Sequence, residues 1–328
     1  MNKIAIDLGS SVTKIYKIGS GIVLSEPSCV AMNTADSTVK AIGEDAKRLI
    51  GKTSDYTTIV FPIFEGEIVN EKVAVNMLKS FLYKAGVKNG AEAVFCVHCG
   101  FDKATEKVYQ RIADECAFRK VSFVESPILA GLGDDVSFSE YEPAFCIDIG
   151  HGVTDIAAFS SDGIIAGISM NIGGGSIDVH IIDHLADLYD IKIGSLTSEK
   201  VKLTVGSLFD TDNQSMVVSG RDITTGKPCS KVVYAPDLYF PLQTHIDKII
   251  EYALLVLGKL PAEVSAVIRK KGILLAGGTA KIAGIREYFA NQLQMDVHVG
   301  EEPQMSVILG GGRIVGDPVL LHRVKAEV

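Results

Sequence analysis

Two segments of this chain repeat one another in residue type and in spacing. They read Asp7-Leu-Gly-Ser-Ser-Val-Thr13 and Asp148-Ile-Gly-His-Gly-Val-Thr154, and each follows an apolar stretch typical of a strand, at residues 4–6 and 144–147. Strand, Gly-containing turn and strand form a hairpin whose glycines leave backbone N–H groups free to point at one spot. Two such hairpins can face each other and bind a polyphosphate from both sides. The alternative is two unrelated Gly-rich hairpins, in which case the matching Val-Thr pairs would be a coincidence.

Composition and charge exclude several kinds of protein. The chain has 328 residues, a length that favours two domains with a core each. Its net charge is −8 and its basic residues are dispersed. This argues against a nucleic-acid partner, because phosphate backbones are bound by clustered Lys and Arg. No apolar run is long enough for a membrane span, and the first strand begins too early for a signal peptide. The six cysteines are then expected to be reduced thiols of a cytosolic protein.

Helix and strand patterns alternate along both halves of the chain. The expected elements are strands at 94–97, 121–124 and 272–276, and helices at 43–50, 73–84, 103–116, from 127, 174–189 and 242–260. An irregular middle precedes the last of these helices. Parallel sheets flanked by helices are the usual outcome of such alternation. The sequence therefore predicts a duplicated α/β fold with a cleft between its halves.

Two further Gly-rich turns precede predicted helices. In one, a buried strand leads through Gly277 and Gly278 into a helix whose first turn holds Thr279. The other is Ile-Gly-Gly-Gly-Ser at residues 172–176. Backbone can approach a ligand closely at such turns, and a helix N-terminus favours an anion. Plain turn geometry is the alternative for either turn alone. With the paired hairpins, they predict that one nucleotide contacts four Gly-rich turns.

These motifs together resemble those of the actin superfamily, and most of all those of the bacterial actin homologues MreB and MamK. The two repeats resemble the two phosphate motifs, and residues 275–279 resemble the adenosine motif. Further likeness to MreB lies at residues 21–28, 42–47, 64–69, 219–226 and 305–312. The first four of these segments have no obvious catalytic use. They therefore separate MreB from the kinases and chaperones of the same superfold.

The resemblance implies an α/β actin-like ATPase fold. Two duplicated α/β domains would surround a nucleotide cleft, each with a smaller outer subdomain. Domain I is expected over residues 1–137, with its outer subdomain at about 24–70 and with residues 312–328 returning to it. Domain II is expected over residues 138–311, with its outer subdomain at about 176–240. Hinge motion between the halves would then respond to nucleotide.

The resemblance also implies ATP or ADP with Mg²⁺ as the ligand. Asp7 and Asp148 would hold the metal ion through water. The other expected nucleotide contacts are Gly9, Ser10, Ser11, Lys14, Gly150, His151, Gly152, Val153, Gly173, Gly174, Glu199, Lys202, Gly277, Gly278, Thr279 and Lys281. Lys14 has an equal alternative as an ordinary surface lysine. For Glu199 and Lys202, the alternative interpretation is a solvated ion pair on one face of a helix.

The hydrolytic residues are where the chain departs from the MreB pattern. MreB places a Glu immediately before the proline of the first connecting helix, and that Glu orients the attacking water. Here Ser126 precedes Pro127, and Glu125 lies one residue earlier. We expect Glu125 to orient the water, with Thr154 helping to position it and Asp148 completing the catalytic set. Slow turnover is expected, because phosphoryl transfer needs the nucleophile held in line.

Two histidines near these motifs have alternative interpretations. His151, in the second phosphate loop, could polarise water or sense pH, or it could contribute only its backbone. His98 lies in Cys96-Val-His-Cys99, a spacing with some zinc-ligand character. No second Cys or His pair completes four ligands, so we expect strand-end residues and no structural metal there.

The function implied by the resemblance is that of an ATP-hydrolysing cytoskeletal protein in the bacterial cytoplasm. It would polymerise with copies of itself, for cell shape, organelle positioning or DNA segregation, with adaptor proteins that the sequence does not identify. The alternatives are a small-molecule kinase, which is usually longer, and a chaperone-type ATPase, which needs a further substrate-binding domain. Membrane binding is not expected, because the connection at residues 85–93 lacks a bulky apolar pair.

Overall fold

Two five-stranded sheets form the centre of the computed structural model, which describes residues 2–209 and 211–326. From edge to edge, the first sheet contains β10 (Lys120–Glu125), β9 (Glu92–Val97), β1 (Lys3–Leu8), β2 (Val12–Lys17) and β3 (Gly21–Pro27). The second contains β13 (Gly163–Met170), β12 (Thr154–Ser160), β11 (Ala144–Ile149), β17 (Ile273–Ala276) and β18 (Val297–Val299). In each sheet three antiparallel strands are extended by two parallel ones. This shared order confirms the duplicated α/β fold.

Each half also carries a smaller three-stranded sheet. The first is built from β4 (Val30–Asn33), β5 (Val39–Ile42) and β6 (Thr57–Val60), and is followed by a short hairpin of β7 (Ile63–Phe64) and β8 (Glu67–Ile68). The second is built from β14 (Ile191–Lys192), β15 (Ser215–Asp222) and β16 (Pro228–Tyr234). The second sheet lies in the segment whose sequence pattern looked irregular. The sequence pattern does not predict these strands, because only a few of their residues are buried. Val218 and Val233 are among the buried ones.

Helices cover both faces of this framework. In the first half they are α1 (Glu44–Lys47), α2 (Glu71–Lys84), α3 (Lys103–Glu115) and α4 (Ser126–Gly133). In the second half and the C-terminal region they are α5 (Gly174–Tyr189), α6 (Ser195–Val205), α7 (Ala235–Gly258), α8 (Ala262–Lys271), α9 (Ile285–Leu293), α10 (Ser306–Gly316) and α11 (Pro318–Val324). Within the two described ranges, none of the helices has the length and apolar character needed to cross a bilayer.

Three helix predictions differ from the structure. The helix expected over 43–50 is a single turn, and the one expected from 242 begins at Ala235 and contains Pro241. The sequence favoured a later start because proline is rarely tolerated inside a helix. The Gly277-Gly278 turn leads into a 3₁₀ helix, Gly278–Lys281, and not into an α-helix. Gly284, with a φ of 77°, separates that 3₁₀ helix from α9, so Thr279 does not lie in the first turn of an α-helix.

Helices α4 and α10 pack against each other between the two main sheets. Helix α10 contacts β1, β2 and β9 of the first sheet, while α4 contacts β11 and β12 of the second. Buried residues of both sheets, including Ala5, Val94 and Cys146, join these helices in one hydrophobic cluster. This shared core connects the halves, so that the β1–β2 and β11–β12 hairpins open onto the same cleft.

Candidate functional site

A cavity of about 350 Å³ lies between the two halves, where the hairpins of both sheets meet. Its walls come from both hairpins, from the ends of β9 and β10, from α6 and from the turn that follows β17. The predicted site residues that line it are Asp7, Gly9, Ser10, Ser11, Lys14, Asp148, Gly150, His151, Gly152, Val153, Gly174, Glu199, Lys202, Gly277, Gly278 and Thr279. The fold therefore brings residues separated by up to 272 positions, Asp7 and Thr279, around one space.

Strand pairing explains why four titratable side chains share this cavity. Asp7 lies opposite Lys14 in the β1–β2 ladder, and Asp148 lies opposite Asp155 in the β11–β12 ladder. Residues directly opposite one another in antiparallel strands project to the same face of the sheet. The sequence repeat thus places an Asp–Lys pair in the first hairpin and an Asp–Asp pair in the second.

Lys14 forms an ion pair with Asp7 inside the cavity. Its Nζ lies 2.8 Å from Oδ2 of Asp7, and its side chain is only 13% exposed, so it is not an ordinary surface lysine. Burial lowers the pKa of Lys14, but the charge and hydrogen bond of Asp7 outweigh burial and raise that pKa overall. The ammonium group therefore supplies a permanent positive charge.

The two carboxyls of the second hairpin are not neutralised in the same way. Burial, reinforced by the negative charges of Asp155 and Asp7, raises the pKa of Asp148 to about 8. Burial also raises the pKa of Asp155 to about 6, although its Oδ1 accepts a hydrogen bond from the Cys99 N–H at 2.8 Å. The two hairpins contribute three carboxyls and one lysine, Asp7, Asp148, Asp155 and Lys14, so this part of the cavity carries excess negative charge when all four are ionised. A bound cation would stabilise the ionised forms.

Two glycines allow the loops around the cavity to approach one another. A Cβ added to Gly152 would lie 2.6 Å from Oγ of Ser10 in the opposite hairpin. Gly277 has a φ of 85°, in the left-handed region, and a Cβ there would clash with the Ile149 carbonyl. Any side chain at either position would push the loops apart. At these two points the loops are therefore as close as the absence of a side chain allows.

Hydrogen bonds fix the loop at residues 150–153 in place. The Gly150 N–H donates to the Val153 carbonyl at 3.0 Å, and the Gly174 N–H donates to the Gly150 carbonyl at 2.9 Å. The Thr279 hydroxyl donates to the same Gly150 carbonyl at 3.3 Å. Burial and the positive charge of Lys202 lower the pKa of His151, which keeps its ring neutral.

Two residues of α6 reach the cavity and connect to other elements. The Nζ of Lys202, which is buried, donates to the Gly174 carbonyl at 2.7 Å and lies 2.9 Å from Oδ1 of Asp178. The carboxylate of Glu199 lies 3.8 Å from Nζ of Lys47 on α1, an ion pair that spans the cleft. Each residue thus pairs with a group on another element, unlike the solvated helical pair that the sequence left open.

Four predicted site residues do not line the cavity. Thr154 is fully buried and donates its hydroxyl to the Ile172 carbonyl at 2.6 Å. The carboxylate of Glu125 accepts the Gly100 N–H at 2.9 Å. The other two are Gly173, which packs behind His151, and Lys281, which is exposed at the end of the 3₁₀ helix. These residues lie behind or beside the wall of the site.

A comparison with known protein families decides between the members of this superfold. The family model described as MreB/Mbl protein matches residues 1–322. The chain belongs to the MreB/Mbl family. One relative, the cell shape-determining protein Mbl of Bacillus subtilis (strain 168), is 31% identical over 313 residues, or 94% of each chain. Membership in the MreB/Mbl family supports an actin-like cytoskeletal protein and does not support a kinase.

Solved structures of MreB and MamK share this architecture. MreB5 of Spiroplasma citri bound to ADP has a TM-score of 0.92 at 28% identity, over 98% of this chain and 97% of that one. The same protein bound to AMPPNP has a TM-score of 0.90 over 94% of each chain. The MamK double helical filament has a TM-score of 0.78 at 19% identity, over 96% and 99% of the two chains. The MamK match shows a common fold alone.

The cavity wall of this MreB/Mbl chain also includes residues that were not predicted as site residues, among them Asp155, His98 and Gln304. Asp155 occupies the repeat position of Lys14, a signal that aligning the two repeats one residue further would have revealed. His98 was considered only as a metal ligand. Gln304 lines the cavity with an amide oxygen that is buried and has no hydrogen-bond partner in the part of the chain that is described. No sequence pattern marks Gln304, because it lies in an irregular loop.

The Cys96-Val-His-Cys99 segment lies across the end of strand β9. Across the described ranges, no group of three or more His, Cys, Asp or Glu side chains is arranged to hold a metal ion. Burial raises the pKa of both Cys96 and Cys99, which keeps the two thiols protonated. The absence of a structural metal at this segment remains a prediction from the sequence.

Proposed function

We propose that this chain binds Mg·ATP in the cavity between its halves, hydrolyses it slowly and polymerises with copies of itself in the bacterial cytoplasm. The observation that carries this proposal is the pair of facing hairpins, with Lys14 and three carboxyls between them. Such filaments would serve cell shape, organelle positioning or DNA segregation. The relatives support this: Mbl is named for determining cell shape, and MreB5 has been solved with both AMPPNP and ADP.

The two loops would bind the phosphates from opposite sides. Ser10 and Ser11 belong to the first loop, and residues 150–153 form the second. The two loops approach closely at Gly152, where an added Cβ would lie 2.6 Å from Oγ of Ser10. Lys14 supplies a positive charge to the phosphates, since its pKa is raised. Backbone N–H groups and a lysine are the groups that recur in phosphate sites.

The residues present fit a magnesium ion. Asp7 and Asp148 provide hard oxygen donors, which Mg²⁺ prefers, and a hydrated ion needs only one or two of them. Burial and the neighbouring carboxyls Asp155 and Asp7 raise the pKa of Asp148, and the charge of a divalent cation would oppose both effects. When bound, the ion would neutralise phosphate charge. Asp7 and Asp148 would hold its water ligands.

The base and ribose would lie toward α6 and the loop after β17. The amide oxygen of Gln304, between β18 and α10, has no hydrogen-bond partner among the described residues, so a donor on the base would satisfy it. Glu199 and Lys202 also line this part of the cavity. Of the expected hydrolytic residues, Asp148 reaches the cavity, whereas Thr154 and Glu125 would act as positioning residues behind its wall.

Calorimetry with Mg·ATP tests the site. Asp7→Ala and Asp148→Ala should each weaken binding at least tenfold, because each change removes a carboxylate from the metal's water shell. Asp187→Ala is the matched control, since Asp187 is exposed on α5 and lies outside the cavity lining. Unchanged Mg·ATP affinity in both site variants would overturn the assignment.

Sedimentation tests the polymerisation. The purified protein should pellet with Mg·ATP and release phosphate without any added acceptor molecule. A kinase would instead need an acceptor and would stay in the supernatant. Phosphate release that depends on an added acceptor, with no pelleting, would contradict the filament proposal.

A further inference from the structure

His98 and Ser126 lie side by side at one end of the cavity. Strands β9 and β10 are parallel and pair Val97 with Glu125, so the next residue of each strand end is His98 or Ser126. The Ser126 hydroxyl donates to the Val97 carbonyl at 3.1 Å, which holds the two strand ends together. Both His98 and Ser126 line the cavity.

The neighbouring carboxylate does not reach the same space. Ser126 stands at the position where MreB places its water-orienting Glu, immediately before Pro127. The Glu125 carboxylate accepts the Gly100 N–H at 2.9 Å and is not part of the cavity lining. Another group in the cavity is therefore needed to orient the attacking water.

His98 presents a free proton acceptor. Its Nδ1 lies 3.1 Å from the Cys99 carbonyl oxygen. A carbonyl can only accept, so Nδ1 carries a proton, and Nε2 is the ring nitrogen that can accept one from water. The edge of the ring also packs on Phe101, with centroids 6.3 Å apart. These two contacts fix the orientation of the imidazole.

Carboxyl groups from three elements lie close enough to His98 to interact with it electrostatically. They are Asp102 before α3, Glu125 at the end of β10 and Asp155 on β12. Burial raises the pKa of Glu125 and Asp155, and the positive charge of His98 opposes that rise. A proton taken up by the imidazole would thus be stabilised by nearby negative charge, as in other sites where a carboxylate supports a histidine base.

We propose that His98 is the catalytic residue that accepts a proton from the attacking water, while the Ser126 hydroxyl holds the same water. This inference rests on the proposed ATPase function. The water oxygen forms a bond to the γ-phosphorus as the bond from that phosphorus to the bridging oxygen breaks, and the electron pair leaves with ADP. The water proton passes to Nε2 of His98 and is then released to the phosphate product or to solvent.

His98→Asn separates the chemical role of His98 from its structural one. The Asn amide can still donate to the Cys99 carbonyl in place of Nδ1, but nothing replaces Nε2. We expect the variant to fold and to bind Mg·ATP as the parent protein does, while kcat falls about 10²-fold. His322→Asn is the control, because His322 is exposed on α11 and outside the cavity lining.

A rescue variant tests whether the loss of kcat in His98→Asn is caused by misfolding. Ser126→Glu restores the carboxylate of the MreB pattern, and in the His98→Asn background it should recover at least tenfold of the lost kcat. A kcat for His98→Asn within twofold of the parent would overturn the role of His98. Failure of the parent protein to bind Mg·ATP or to release phosphate would instead overturn the proposed function, and this inference with it.

Discussion

At the scale of single residues, the site is governed by an imbalance of charge. Lys14 neutralises Asp7 at 2.8 Å, but Asp148 and Asp155 face each other across a strand pair. This pairing of two carboxyls destabilises the nucleotide-free protein and favours the binding of a cation. It is the kind of local conflict that proteins keep where function requires it.

This imbalance predicts that Asp148→Asn stabilises the nucleotide-free protein at alkaline pH. The folded pKa of Asp148, about 8, lies above its usual value of 3.8. Between these values the folded state holds a proton that the unfolded state has lost, so stability is full below pH 4 and falls as pH rises toward 8. Replacing the ionisable carboxyl with an amide should raise the free energy of unfolding at pH 8 by about 1–3 kcal/mol.

Thermal melts at pH 5 and pH 8 without nucleotide measure this effect. The gap in melting temperature between the variant and the parent should be larger at pH 8, and Asp187→Asn should show no such gap. Mg·ATP should stabilise the parent more than the variant, because the variant has lost a metal-shell carboxylate. Equal melting temperatures for parent and variant at pH 8 would refute the charge argument.

At the scale of elements, the crossing of α4 and α10 holds the two sheets together. The helices approach so closely that a Cβ on Gly310 would clash with the Leu129 carbonyl, and one on Gly133 with the Ser306 carbonyl. Backbone meets backbone at this crossing, which only glycine permits. The position of each hairpin relative to the other therefore depends on residues that never touch the cavity.

Gly310→Ala should destabilise the protein by about 1–3 kcal/mol or more, because an overpacked core must shift backbone to relieve the clash. Gly316→Ala, on the same helix, is the matched control. Its Cβ would meet only Ile18, at 4.0 Å, so the change should be neutral or stabilise by about 0.5–1 kcal/mol. Urea unfolding of both variants gives the comparison. A Gly310→Ala midpoint equal to that of Gly316→Ala would show that the crossing is not tightly packed.

At the scale of the whole molecule, the cleft is bridged by weak contacts. Lys47 and Glu199 pair at 3.8 Å, and the Asn171 amide donates to Glu65 at 3.3 Å. Partly exposed pairs of this kind contribute at most about 1 kcal/mol. We therefore expect that the outer parts close on a nucleotide or separate from one another at little cost, with the α4–α10 crossing as the fixed side of the hinge.

The molecule as a whole is also expected not to bind lipid by itself. In the connection between α2 and β9, Val87 packs against the hydrophobic core formed by α2 and the first sheet. Tyr83, at the end of α2, is an exposed aromatic residue nearby. One aromatic ring and an acidic chain offer little apolar area or attraction to anionic headgroups. In flotation assays with anionic liposomes and Mg·ATP, the protein should stay at the bottom of the gradient.

A gain-of-function variant serves as the control for flotation. Replacing Lys88 with Leu and Asn89 with Phe adds the bulky apolar pair that this exposed connection lacks. That double variant should float with the liposomes. Strong co-flotation of the unaltered protein would contradict the prediction and would point to another membrane-binding surface.

The sequence by itself determined the fold class, because its signals are local. The repeated Asp-x-Gly hairpins, the alternation of helices and strands and the family segments each occupy a few consecutive residues, and the duplicated sheets and the family membership confirm them. Local signals failed where burial is sparse or backbone is irregular, as in β15, β16 and the 3₁₀ helix after β17.

Only the tertiary structure decided which side chains share the cavity. Strand register places Asp155 beside Asp148, and parallel pairing of β9 with β10 sets His98 beside Ser126 while Glu125 bonds to Gly100. Such placements depend on hydrogen bonds and packing between segments far apart in the chain. Sequence spacing carries no information on the direction of a side chain at a strand end, and burial, which raises the pKa of Asp148, exists only once the halves have come together.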